Sequence, residues 1–120
     1  MEYQDFYYRG FEGEPEIQII SQKAGYKEVF AIWEGYFDQI MQAIEPDTNG
    51  WCGVAYYYNM NLGWYEESPW EVQDLCGTLA QLKAIKQSRL PAETTEILEI
   101  LCSKLAEAIK NGFRIFIVKE

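Results

Sequence analysis

The segment Phe113-Arg114-Ile115-Phe116-Ile117-Val118 reads as a largely buried strand, because a single charge interrupts a run of apolar β-formers. A strand of that kind belongs inside a sheet, so the rest of the chain must supply its neighbours and the helices that cover it. Directly before it, a helix from 91 to 111 buries Ile97, Leu98, Leu101, Leu105, Ala108 and Ile109 and exposes Glu96, Glu99, Lys104, Glu107 and Lys110. Asn111-Gly112 ends that helix with a residue suited to left-handed geometry.

Working forward from residue 2, Glu-Tyr-Gln-Asp-Phe-Tyr-Tyr-Arg is β-prone, and Glu16 to Ser21 roughly alternates polar and apolar. Gly10, Gly13 and Pro15 between them predict a turn joining two strands. Tyr26, Val29, Phe30, Trp33, Tyr36, Phe37, Ile40, Met41 and Ile44 recur at three- and four-residue steps and predict a helix over 26–44, ended by Pro46 and the turn Asp47-Thr48-Asn49-Gly50. Trp51 to Tyr58 and Trp64 to Glu67 predict a hairpin around Asn59-Met60-Asn61-Leu62-Gly63, with its register open. Ser68-Pro69-Trp70-Glu71 has the signature of a capped helix start, after which Leu75, Cys76, Leu79, Leu82 and Ile85 line one face. The expected order is β-β-α-β-β-α-α-β. It describes an α+β domain with a mostly antiparallel sheet of about five strands and three helices packed largely on one face.

Residues 1–120 suffice for one domain with its own core, and 16% aromatic content excludes a disordered tail. The charge is unevenly placed. From Glu28 to Leu82 the chain runs 55 residues without Lys or Arg, while carrying nine acids and all four tryptophans; outside that window ten acids meet ten bases. The net charge of −9 therefore belongs to one segment. Such acidity argues against direct binding of nucleic acid, which needs clustered Lys and Arg. It suits a basic protein partner instead, because a one-signed surface steers encounter while Trp and Tyr supply rigid contact area.

No histidine exists, which removes the commonest general base, Ser-His and Cys-His nucleophile pairs and most zinc sites. Cys52, Cys76 and Cys102 are odd in number, widely spaced and without C-x-x-C, so reduced thiols are the simplest reading. The N-terminal residues lack the features of a signal peptide, and no stretch approaches the ~18 apolar residues of a membrane span, so a cytoplasmic, membrane-free location is expected. Gly10-Phe11-Glu12-Gly13 lacks the Lys and Ser/Thr of a phosphate loop, and no D-x-D-x-D-G calcium loop occurs; neither cofactor nor metal is expected. Glu71 and Asp74, one turn apart on the expected helix, could act as paired catalytic acids. A solvated first turn favoured by the helix dipole accounts for them more simply. The expectation is a protein that is not an enzyme.

In size, acidity, missing catalytic groups and cytosolic thiols the whole chain resembles, in general character, bacterial immunity proteins. These are the small antitoxins that neutralise contact-dependent growth inhibition or other polymorphic toxins. The resemblance implies a tight one-to-one complex with a cognate toxin domain, often a basic nuclease, whose active site or substrate groove is blocked. On that reading Glu34, Asp38, Glu66, Glu67, Glu71 and Asp74 are electrostatic determinants, and Tyr57, Trp64, Tyr65 and Trp70 are anchor candidates. Strand alternation leaves open which of the clustered aromatics face outward. A non-enzymatic adaptor or assembly subunit, docking a peptide or its own copy through the same surface, is the alternative.

Overall fold

The computed structural model describes residues 2–46, 48 and 50–120. Its sheet grows from a hairpin. Ala24 and Gly25 both hold positive φ, 30° and 84°, and this two-residue turn brings β2 (Glu16–Lys23) against β3 (Tyr26–Trp33) in antiparallel register from Lys23↔Tyr26 to Glu16↔Trp33. On the other edge of β2 lies β5 (Arg114–Lys119), antiparallel, with Ile19 opposite Ile117. The outer strands are β1 (Glu2–Tyr7), parallel to β3, and the two-residue β4 (Trp70–Glu71), antiparallel to β5. The order is β1-β3-β2-β5-β4, so the C-terminal strand is interior as expected. The α+β class holds, but the β1–β3 pair makes the sheet mixed, and β1 and β2 flank β3 rather than pairing with each other.

Among the described residues four helices replace the three expected: α1 (Glu34–Ala43), α2 (Gly53–Asn59), α3 (Leu75–Lys83) and α4 (Ala92–Asn111). The helix expected over 26–44 is half strand. Val29, Phe30, Ala31 and Ile32 are all buried, so β3 shows no polar alternation and its apolar residues fit a helical step equally well. The hairpin expected over 51–67 is absent. Gly53 to Asn59 is helical, and Gly63–Tyr65 is a single 3₁₀ turn. Local β-propensity in Tyr56-Tyr57-Tyr58 is overridden by packing of α2 against α3, where the Val54 N–H donates to the Thr78 hydroxyl at 3.1 Å.

Neither does a helix begin at Ser68. The Ser68 hydroxyl accepts the Lys119 N–H at 3.2 Å on the sheet margin, and Trp70–Glu71 pairs with Ile117–Phe116. α3 starts six residues later, where the Asp74 carboxylate caps it by accepting the Gly77 N–H at 2.9 Å. The C-terminal elements have nearly the expected bounds, and Gly112 takes φ 75° beyond α4 with its N–H bonded to Ala108 O. But Ile109, expected buried, is exposed, and Lys104, expected exposed, is largely buried against Glu28. The turn expected at Asp47-Thr48-Asn49-Gly50 lies partly outside the described residues.

Ile17, Ile19, Phe30, Ile32, Ile115 and Ile117 share one core with residues of all four helices, including Phe37, Ile40, Val54, Leu82, Ile97 and Leu101. Ile20, Val29 and Ala31 are also buried but stand outside that core. They alternate with the core-facing residues and so lie on the opposite side of the sheet.

Candidate functional site

Folding brings cations to the acidic window from sequence positions outside it. Glu28 on β3 meets Lys104 of α4, with side-chain exposures of only 19% and 12%. Glu34 at the start of α1 meets Lys119 of β5 at 3.3 Å. Glu71 takes two hydrogen bonds from the Arg114 guanidinium, at 2.7 and 3.1 Å, and Glu45 meets Arg89. The sequence expectation that Glu28 and Glu34 have no compensating base is therefore corrected. Their bases arrive across the fold. The hydrogen bond from Lys104 holds the Glu28 carboxyl below its ordinary pKa against the opposing effect of burial, and the Arg114 hydrogen bonds do the same at Glu71.

Asp38 is handled differently. One turn beyond Glu34 on α1, its carboxylate accepts the Tyr58 hydroxyl at 3.3 Å, and its pKa is raised, first by burial and then by the charge of Glu34. Tyr58 stands over Trp64, the rings 6.5 Å apart, and Tyr65 stacks 5.6 Å from Trp64 and lies 6.3 Å from Tyr58. Burial and the neighbouring Tyr58, Asp38 and Glu34 push the Tyr65 phenol up to about 12. The Lys119 ammonium lies 4.9 Å from the Tyr65 ring centre, so one lysine bridges Glu34 and an aromatic face. Beyond Tyr65, Glu66 and Glu67 are exposed and form no ion pair among the described residues.

Two anchor candidates are corrected to core residues: Trp64 is 3% exposed and Trp70 8%. Phe37 meets Trp64 edge-on at 5.6 Å, and Tyr57 tilts against Trp70 at 4.6 Å, so Tyr57 serves as a lid on the core more than as a projecting anchor. Tyr65, at 38% exposure, keeps an outward face. Glu71 and Asp74 do not share a helical face, since Glu71 ends β4 and Asp74 caps α3. What the fold assembles from the expected set is Glu34, Asp38 and Tyr65, with Glu66 and Glu67 following in the chain.

Sequence reasoning missed Tyr58 and Lys119, which complete this group, the exposed Tyr56 on α2 and the exposed Met60 that follows it. Tyr56-Tyr57-Tyr58 read as helix would have separated them, because consecutive helical residues point about 100° apart. Lys119 carries no local signal, since its role depends on pairing across the sheet.

Among the described residues no group of three or more His, Cys, Asp or Glu could hold a metal ion, and no helix is long and apolar enough to cross a membrane. No protein-family model, curated protein or solved structure matches the chain.

Proposed function

We propose that this chain is an immunity protein, a non-enzymatic antitoxin that binds a basic toxin domain in the cytoplasm through the surface around Tyr65. The observation that supports the reading is the negative charge left over after internal pairing. Glu28, Glu34, Glu45 and Glu71 form ion pairs with bases, whereas among the described residues Asp38 forms none, accepting the Tyr58 hydroxyl and feeling the Lys119 charge only at longer range, and neither Glu66 nor Glu67 is paired. These three acids accompany the part-exposed rings of Tyr58 and Tyr65, so steering charge and contact area coincide. The partner is a protein, with nucleic acid reached only through it, and the complex needs neither cofactor nor metal.

The test is co-expression with the toxic domain encoded beside this chain, followed by association kinetics. Survival should depend on this chain, and the association rate should fall at least several-fold as salt rises and screening sets in. An association rate that ignores salt would sink the steering argument.

Exposed Tyr56 and Met60 favour a second reading, an adaptor that docks a peptide or its own copy through the same surface. Light scattering separates the two: the adaptor forms homo-oligomers, the antitoxin a monomer or a heterodimer with its toxin.

A further inference from the structure

A second surface carries its own recognition chemistry. Between β1, the loop after it and the first turns of α4 opens a groove of about 780 Å³, walled by Phe6, Tyr7, Phe11 and Tyr36 and floored by Glu93 and Glu96. The rings are braced from behind. Phe11 stacks on Trp33 with 4.4 Å between centroids and meets Tyr36 edge-on at 5.6 Å, while Tyr7 meets the core ring of Phe30 at 6.0 Å. Phe6, by contrast, is 68% exposed, and among the described residues its one ring contact is Tyr7 at 5.1 Å.

The two carboxylates are oriented by the walls. The Tyr36 hydroxyl donates to Glu93 Oε2 at 2.6 Å and the Tyr7 hydroxyl to Glu96 Oε2 at 3.0 Å. Each carboxylate thus keeps its Oε1 without a hydrogen bond among the described residues. The base lining the groove, Arg9, meets Asp5 through its Nε at 3.2 Å, and neither Glu93 nor Glu96 forms an ion pair among the described residues. The groove therefore combines aromatic faces with two uncompensated, positioned acceptors.

We propose that this groove binds an arginine side chain presented by a protein partner. A guanidinium is flat enough to lie against the rings and carries donors on two edges for two carboxylates, where an ammonium offers a point charge with no stacking plane. The site is distinct from the Tyr65 surface. On α1, Glu34 and Asp38 lie one turn apart, while Tyr36 sits about 200° round the helix from Glu34. The inference stands whether or not the antitoxin reading does, since it concerns a ligand group and not the partner's activity.

The experiment is an NMR titration of the intact protein with Nα-acetyl-arginine amide, its neutral citrulline counterpart and the lysine counterpart, read at the rings of Phe6, Tyr7, Phe11 and Tyr36. Saturable shifts are expected with the arginine probe, at least about tenfold weaker binding with citrulline, and weaker binding with lysine. Glu93→Gln with Glu96→Gln should abolish saturation, and Phe6→Ala, at an exposed position, should weaken it while leaving the remaining spectrum folded. No saturation with arginine, equal binding of citrulline, or binding of lysine as tight as arginine would each overturn the proposal, and none of these outcomes depends on a variant folding.

Discussion

The β3-β2-β5 block and the segment from residue 44 to 74 face the same burial problem with different means. The block spreads its apolar contacts along paired strands, with Ile17 opposite Ile32 and Ile19 between Phe30 and Ile117. Among its described residues the segment has a seven-residue helix, one 3₁₀ turn and a two-residue strand. None is long enough to persist alone. Its cohesion is concentrated in Trp64 and Trp70, whose rings lie 5.5 Å apart and gather Phe37, Tyr57, Tyr58 and Tyr65 around them. A sheet distributes stability, whereas a run of short elements hangs it on a few large side chains.

The sharpest way to break that contrast is Trp64→Ala, which should cost about 4 kcal/mol in urea unfolding, more than Ile19→Val at about 1 kcal/mol. A loss for Trp64→Ala below about 1 kcal/mol would mean the segment is held by something other than its indoles.

Next in size come the ion pairs that tie the acidic window to the rest. Lys104→Ala strands the mostly buried Glu28 carboxylate and should cost about 2–3 kcal/mol, while Arg114→Ala, at an exposed pair, should cost less than about 1 kcal/mol. Equal losses in thermal or urea melts would show that burial does not separate the two. Asp74→Ala removes the cap of α3 and should cost about 1 kcal/mol, with helical circular dichroism of the folded state nearly unchanged.

Smallest, but opposite in sign, are the pH effects of Glu28 and Asp38. Glu28 has a folded pKa below its ordinary 4.5, so its stabilisation is present above that value and is lost as pH falls through the folded pKa. Asp38 has a folded pKa above its ordinary 3.8, so the native state holds the proton more tightly and stability drops as pH rises from 3.8 through the folded pKa. Between pH 3 and 6, Glu28→Gln should therefore flatten the rise in stability and Asp38→Asn should steepen it. Shifts of the same sign in both variants, measured by urea midpoints, would contradict the two environments described.

The contrast between the regions also explains what was legible beforehand. β2, α4 and β5 are long enough for periodicity to show, and Gly112 follows ordinary terminus chemistry, whereas the cap at Asp74 is hidden behind the equally good capping pattern at Ser68. The helical reading of β3 fails because a strand buried on both faces loses its alternation; the readable signal is the Ala24-Gly25 turn, which separates the two strands by two residues. In the 44–74 segment no element is long enough to show a period, and its aromatic residues obey tertiary packing instead. Of the candidate surface, Glu34, Asp38 and Tyr65 were recognisable from charge and aromatic clustering. Tyr58 and Lys119 were not, because their places depend on contacts 20 and 85 residues away along the chain.

The interior position of β5 sets an order of events during synthesis. Strands β2 and β3 can close their hairpin early, yet the second edge of β2 stays open, and β4 has no partner, until residues 114–119 have left the ribosome. Until β5 pairs, β2 thus presents an unpaired apolar edge of the kind chaperones bind, and the acidic surface, which includes Lys119, becomes an ordered unit only once β5 inserts.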